Sequence, residues 1–178
     1  MTGMPPHDRV PTMVNAEFLK DNEAIVQKLM KIPAMRALEK EHLQALLEMS
    51  SVKEFQPGAQ ILEEGRFEAS IFYLISGRAR IVKNGKEIAV IRRTGDVFGE
   101  MGVIDGSARS ASVYAVEKTI CLKTDMSAVE ALYGDSKLAF RYTIFRGFAQ
   151  ILANRLRLTS EALLQSQEEL ARLKQSAP

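Results

Sequence analysis

The chain has 178 residues, which is enough for one sizeable domain with some additional helix. Its 46% hydrophobic and 26% charged residues are typical of a soluble globular protein, and a net charge of +2 is too small to predict nucleic-acid binding. No segment approaches the roughly 18 apolar residues of a membrane span, and the N-terminus has no apolar signal-peptide core. The single cysteine, Cys121, cannot form an internal disulfide. Together these features predict a cytoplasmic protein.

The first 50 residues divide into a loose arm and a helical region. Residues 1–14 contain three of the six prolines, which predicts a flexible arm. In residues 15–50 apolar side chains recur at helical spacing, and Pro33 ends the first of two helical stretches. The apolar positions of the two stretches are Phe18, Ile25, Val26, Leu29 and Met30, then Met35, Leu38, Leu43, Leu46 and Leu47.

Residues 51–125 contain short β-type segments separated by turn signals. The strongest signal is Asn84-Gly85 between two alternating segments, which predicts a β-hairpin. Many short strands at even spacing are typical of a sandwich or barrel. We therefore predict an α+β protein, mainly β, built on an antiparallel β-roll of jelly-roll type. The predicted strands are Val52–Phe55, Ile61–Leu62, Ser70–Ile75, Arg78–Lys83, Glu87–Ile91, Arg109–Ala115 and Lys118–Leu122.

Residues 126–174 are predicted to be helical, with a break near Gly134. Their apolar side chains follow about four heptad repeats, a pattern that predicts a coiled-coil-like contact with a second copy of the chain. Two polar members, Thr159 and Ser166, weaken that contact and also help to set its register. The predicted seam consists of Tyr142, Phe145, Ala149, Leu152, Leu156, Thr159, Leu163, Ser166, Leu170 and Leu173.

The segment from Phe98 to Ser112 carries the chemistry of a binding site. Glu100 follows a glycine, and Arg109 comes nine residues later. A carboxylate only accepts hydrogen bonds and so fits a hydroxyl, whereas a guanidinium offers a planar fork of donors that fits phosphate oxygens. A helix beginning near Gly99 would add unpaired amides and the positive end of its dipole. The pattern predicts a site that binds a ligand with ribose hydroxyls and a phosphate, without turnover.

No catalytic or metal site stands out in the sequence. A Ser–His–Asp set, a Cys–His pair and a paired-carboxylate site are all missing, and His7 and His42 have no clustered partners. Asp96 and Asp105 lie near Glu100, but no base or metal-ligand set completes them. We therefore predict no catalytic residues, no metal and no cofactor. An enzyme acting on a nucleotide, such as a cyclic phosphodiesterase, is the alternative that the residues do not favour.

The order of helix, β-roll with glycine turns, FGE…RSA segment and long helix resembles the cyclic nucleotide-binding domain family over roughly residues 33–160. The resemblance implies that Glu100 binds the ribose 2′-hydroxyl and that Arg109 clamps the cyclic phosphate. It implies that Ser110 donates its hydroxyl to the phosphate or the base. The nine-residue spacing between Glu100 and Arg109 is similar to that of the kinase regulatory subunits in the family. Further backbone contacts implied by the resemblance come from Gly99, Met101, Gly102 and Ala111.

The long helix carries a second match. Thr159 and Ser160 are similar to the two residues that contact adenine in the dimer helix of the catabolite activator branch, one within its own subunit and one across the dimer. This favours cyclic AMP, while the hydroxyl of Ser110 leaves cyclic GMP open. That branch continues into a helix-turn-helix domain. The few residues after the seam leave no room for one, so we expect no DNA-binding domain.

The resemblance therefore implies a cytoplasmic cyclic-AMP sensor. We expect a homodimer joined along residues 142–173, which signals through a rearrangement of the long helix to a protein partner. Two alternatives remain: a cyclic-GMP sensor, and a structural dimer of the same fold that binds no nucleotide.

Overall fold

The computed structural model describes residues 12–13, 27–28, 30, 35, 43, 46–127 and 135–176. Within these residues the chain forms nine strands, two helices with described bounds and shorter helical pieces before residue 49, and the strands form a jelly-roll of antiparallel sheets, which confirms the predicted fold class. The strands are β1 (Thr12–Met13), β2 (Ser50–Phe55), β3 (Gln60–Leu62), β4 (Ser70–Ser76), β5 (Ala79–Lys83), β6 (Lys86–Ile91), β7 (Val97–Phe98), β8 (Ser112–Ala115) and β9 (Thr119–Asp125). The helices are α1 (Glu100–Asp105) and the long C-terminal helix α2 (Asp135–Ser176).

The strands form two antiparallel sheets. One has the order β1-β2-β9-β4-β7 and the other the order β3-β8-β5-β6. The predicted hairpin is confirmed: β5 pairs with β6, and Asn84 and Gly85 between them both have positive φ, at 50° and 74°. Such a two-residue turn matches the right-handed twist of its strands. It brings Lys83 and Lys86 opposite each other at the end of the hairpin.

Strand β4 lies between two hydrophobic clusters. Because side chains alternate along a strand, Ile71, Tyr73 and Ile75 enter one cluster. Phe72 and Leu74 enter the other, which lies towards the second sheet. Phe72 stacks on the ring of Phe98 at a centroid distance of 5.3 Å. This stacking holds β7, and therefore the start of α1, against the core.

Helix α2 packs on the first cluster through Ile144 and Phe148, which are four residues apart and share one face of the helix. Beyond this contact the helix leaves the core, and Leu156, Leu163 and Leu170 are all more than half exposed. None of the helices within the described ranges is long and apolar enough to cross a membrane.

The structure differs from the sequence predictions at several points. Strand β7 was not predicted, because two residues are too short to show a period. Thr12 and Met13, within the predicted arm 1–14, pair with β2. The strand expected to begin at Arg109 begins instead at Ser112. The reason is that the backbone of Arg109 exchanges hydrogen bonds with the loop at Gly65 and Arg66, outside the sheet ladder.

Two predictions fall largely on residues outside the described ranges. Of the helical stretches predicted in 15–50, positions 27–28, 35, 43 and 46–48 are helical in the structure. The remainder of those stretches, and the break predicted near Gly134, are not described.

Strand β9 extends three residues beyond the predicted end at Leu122, because β2 and β4 both pair with it as far as Thr124 or beyond.

Candidate functional site

The turn between β7 and α1 places Glu100 at the first position of a helix. Gly99 caps α1 in the left-handed conformation, with φ 84°. A Cβ atom at this position would lie 2.9 Å from Nη1 of Arg109 and 3.1 Å from the Ser70 carbonyl oxygen. A glycine is therefore required at position 99 for two reasons: the backbone has a positive φ, and the guanidinium of Arg109 leaves no space for a Cβ atom.

Glu100 is a buried carboxylate with an arginine partner from the long helix. Its side chain is 1% exposed, and Nη1 of Arg155 lies 2.5 Å from its Oε1. Another nitrogen of the same guanidinium donates to the Val97 carbonyl oxygen. A buried charge is costly unless it is paired, so this contact stabilises Glu100 and ties α2 to the start of α1.

Arg109 is buried as well, at 3% exposure. Its Nη1 donates to the Gly99 carbonyl oxygen at 2.6 Å and its Nη2 to the Ser70 carbonyl oxygen at 2.5 Å. Its Nε is buried and has no hydrogen-bond partner among the described residues. Most buried donors in folded proteins are satisfied, so this Nε is a donor that remains available to a further acceptor.

Glu68 is the acidic partner of Arg109. Its Oε2 lies 3.7 Å from Nη2 of Arg109, while Oε1 accepts a hydrogen bond from Lys123 at 2.7 Å. Burial raises the pKa of Glu68, but hydrogen bonds from Lys123 and Ser70 and the charges of Lys123 and Arg109 outweigh it, so this pKa is below its usual range. Burial lowers the pKa of Arg109, and the charges of Glu68 and Glu100 oppose that shift. Glu68 is therefore ionised at neutral pH, and Arg109 keeps its charge because a guanidinium is not deprotonated in proteins.

Glu100, Arg109 and Arg155 line a cavity of about 300 Å³, the lower end of the size range of small-molecule sites. It brings together seven of the nine residues that the sequence analysis assigned to the ligand: Gly99, Glu100, Met101, Gly102, Arg109, Ser110 and Ala111. The other two, Thr159 and Ser160, are exposed on α2 and do not line it. Arg155, one helical turn before Thr159, lines the cavity instead.

Seven lining residues were not predicted from the sequence. Five apolar ones come from five different strands, where a period of two indicates that a residue faces inward but not which cavity it faces. The sequence analysis assigned no site role to Arg155 or Lys83; a signal available for Arg155 is its position four residues before Thr159. The unpredicted lining residues are Leu62, Ile81, Lys83, Ile88, Phe98, Val113 and Arg155.

Ser110 makes two contacts at the cavity. Its carbonyl oxygen accepts a hydrogen bond from Nζ of Lys83 at 3.1 Å, and its hydroxyl lies 3.7 Å from the sulfur of Met101. Within the described ranges no group of three or more His, Cys, Asp or Glu side chains is placed to hold a metal ion.

Comparison with known proteins identifies relatives of this chain. The chain is 32% identical over 95 residues to the cGMP-dependent protein kinase of Toxoplasma gondii, a match that covers 53% of this chain and 9% of the kinase. It is 27% identical over 108 residues to the cAMP-dependent protein kinase regulatory subunit of Schizosaccharomyces pombe, covering 61% of this chain and 26% of the subunit. The chain thus spans only a small part of the length of these curated relatives.

Solved structures share the fold. A cyclic nucleotide-binding domain from Methylobacillus flagellatus superposes with a TM-score of 0.69 at 24% identity, covering 83% of this chain and 84% of that one. The catabolite activator protein of Thermus thermophilus superposes with a TM-score of 0.61 at 26% identity, covering 82% and 72%. Residues 52–136 match the family described as "Cyclic nucleotide-binding domain". These residues contain the whole FGE…RSA segment, and this part of the chain therefore belongs to the cyclic nucleotide-binding domain family.

Proposed function

We propose that this protein is a regulatory cyclic-AMP receptor and that its ligand binds in the cavity of about 300 Å³. The observation that carries the proposal is that one cavity is lined by a buried carboxylate, Glu100, and a buried guanidinium, Arg109. The first is an acceptor for a ribose hydroxyl, and the second offers its unpaired Nε and its charge to the phosphate. Ser110 adds a hydroxyl for the phosphate or base, and the site binds its ligand without turnover.

The choice of cyclic AMP rests on the long helix. Thr159 and Ser160 follow Arg155 by one turn, so a modest movement of α2, or the helix of a second copy, brings their hydroxyls over the base. The relatives include one kinase described as cGMP-dependent and one regulatory subunit described as cAMP-dependent. Cyclic GMP is therefore the second candidate ligand.

Signalling in this proposal runs through α2. Arg155 connects the helix to Glu100 inside the cavity, so a ligand that binds Glu100 changes how the helix is held. A ligand shifts a conformational equilibrium only by its differential affinity for the two states, and this contact supplies such a difference. We propose that the protein acts in the cytoplasm as a homodimer and presents the altered helix geometry to a protein partner.

Isothermal titration with cyclic AMP and cyclic GMP tests the ligand assignment. We expect Arg109→Ala to weaken binding by about 10- to 100-fold, because a charge-assisted contact is worth roughly 1.5–3 kcal/mol. Glu100→Ala should cost less, since a hydroxyl contact is uncharged at one end. Arg92→Ala, which removes an exposed arginine outside the cavity lining, is the matched control and should bind normally.

Two outcomes would count against the receptor. Unchanged affinity in both cavity variants would show that the ligand binds elsewhere. An unchanged melting temperature with either nucleotide at high concentration would favour a structural domain, because a ligand that binds only the folded state must raise it.

A further inference from the structure

Three cationic side chains line the cavity, and their partners differ. Arg155 is paired with Glu100. The guanidinium of Arg109 donates to two backbone carbonyls and lies 3.7 Å from Glu68, which it shares with Lys123. Lys83 makes one hydrogen bond, to the Ser110 carbonyl oxygen, and no salt bridge with any described residue. An ammonium group has three donors, and Lys83 uses one of them in the hydrogen bonds of the described residues. Lys83 is therefore the lining cation that can donate to a ligand without giving up a salt bridge to a described residue.

The position of this ammonium group is set by the fold. Lys83 is the last residue of β5, and its hydrogen bond reaches the residue directly after Arg109. The adjoining turn is held as well, since the amide of Asn84 donates to the Glu64 carboxylate at 3.1 Å and the amide of Glu64 donates to the Ser112 hydroxyl at 3.0 Å. The end of the hairpin is therefore fastened to the segment that carries the phosphate-binding arginine.

We propose that Lys83 is a second phosphate-binding residue of the cavity, which meets the anionic phosphate at the exposed end and holds it together with Arg109. This inference rests on the proposed function. Arg109 is buried and Arg155 is paired with Glu100, whereas Lys83 is exposed, so an incoming anion meets the charge of Lys83 first. A positive charge at the mouth of a cavity accelerates the binding of anions, and that effect declines as salt screens it.

The hairpin provides a matched control. Lys86 lies opposite Lys83 across the turn, is exposed, and does not line the cavity. Lys83→Gln and Lys86→Gln change the net charge equally and alter the same short segment. Long-range attraction alone would make the two variants equivalent, whereas a direct contact with the phosphate involves Lys83 only.

The experiment measures binding of cyclic AMP to the full chain and to both variants by titration and stopped-flow kinetics, at low and high salt. We expect Lys83→Gln to weaken binding by about three- to tenfold, mainly through faster dissociation because a direct contact is lost, with a smaller salt dependence than the wild type. Lys86→Gln should stay within about twofold, as expected of a rim charge without a contact. Lys83→Arg, which keeps the charge, should restore most of the affinity.

The outcomes separate this inference from the proposed function. If the wild type binds and the two glutamine variants bind equally well, Lys83 is not a phosphate ligand and the receptor assignment stands. A wild type that binds neither cyclic AMP nor cyclic GMP overturns the receptor assignment and this inference with it. The melting temperatures of the two variants without ligand should agree, and a selective loss in Lys83→Gln would instead assign Lys83 a structural role.

Discussion

At the scale of single residues, the site depends on one glycine that leaves space for one arginine. Gly99 has φ 84°, and a Cβ atom there would lie 2.9 Å from Nη1 of Arg109. Gly58 offers a comparison, because its φ of 81° is nearly the same but a Cβ atom would meet nothing within 4 Å. A side chain would strain the backbone at both positions, but it would displace the guanidinium of Arg109 only at Gly99. Comparing the two positions therefore separates these two costs.

We predict that Gly58→Ala lowers the free energy of unfolding by about 1–2 kcal/mol, the cost of placing a side chain in the left-handed region. Gly99→Ala should lose more and should also weaken cyclic-nucleotide binding, because the guanidinium of Arg109 must move. Urea unfolding and isothermal titration of both variants measure the difference. Equal losses of stability, with binding unaffected, would show that the position of Arg109 does not depend on the space beside Gly99.

At the same scale, the buried cysteine has a structural role. Cys121 lies in the cluster with Phe72 and Leu74, and burial raises the pKa of its thiol to about 12. A protonated thiol without access to solvent is unreactive. The presence of Cys121 is therefore accounted for by its packing in the core, and no redox role is needed.

At the scale of elements, α2 combines a short buried contact in its first half with a long exposed extension. Phe148 is 1% exposed and packs in the cluster with Tyr73 and Leu122, which are side chains of β4 and β9. The rest of the helix beyond Arg155 makes little contact with the β-roll, as the exposure of Leu163 and Leu164 shows. The docking of the helix therefore depends on a few residues of its first half.

Replacing Phe148 by Ala should lower the free energy of unfolding by about 3–5 kcal/mol, because the change removes a large buried ring and leaves a cavity. Leu164→Ala removes an apolar side chain that is 57% exposed and should change stability by no more than about 0.5 kcal/mol. Chemical denaturation of both variants provides the measurement. A small effect of Phe148→Ala would mean that α2 is not fastened to the sheets through this ring.

At the scale of the whole molecule, α2 leaves exposed the apolar side chains that the heptad pattern predicts for pairing with a second copy of the chain. The seam predicted from the heptad pattern includes Leu156, Leu163 and Leu170, and all three are 53–68% exposed in the single chain. Leu158 lies off the seam, yet its exposure of 58% equals that of Leu163. Exposure alone therefore does not distinguish the two residues. Pairing of two helices would distinguish them, because it would bury Leu163 in the seam and leave Leu158 outside it.

We predict that the wild type is a dimer in solution and that Leu163→Glu shifts it towards the monomer, because a charge in the seam faces its own copy across the pair. Leu158→Glu should remain dimeric. Light scattering coupled to size-exclusion chromatography over a range of concentrations measures both. A monomeric wild type, or equal disruption by the two variants, would contradict the seam.

Local sequence was sufficient for the elements whose signals are short in range. Alternating residues predicted seven of the strands to within a few positions, and Asn84-Gly85 predicted its hairpin because a two-residue turn needs positive φ. The residues from Gly99 to Ala111 could also be assigned, since the carboxylate, glycines and guanidinium of the site are close together in the chain. The fold class and half of the residues that line the cavity follow from such local patterns.

Tertiary structure decided the rest. Arg155 reaches Glu100 across 55 residues and Lys83 reaches Ser110 across 27, and neither pairing leaves a periodic or motif signal in the sequence. The two-residue strand β7 exists because β4 pairs with it, and Arg109 points inward because Ser70 and Gly99 offer carbonyl oxygens there. The physical reason is that periodicity and turn geometry depend on neighbouring residues, whereas the charges that complete a site depend on contacts that form only when the sheets and the long helix pack together.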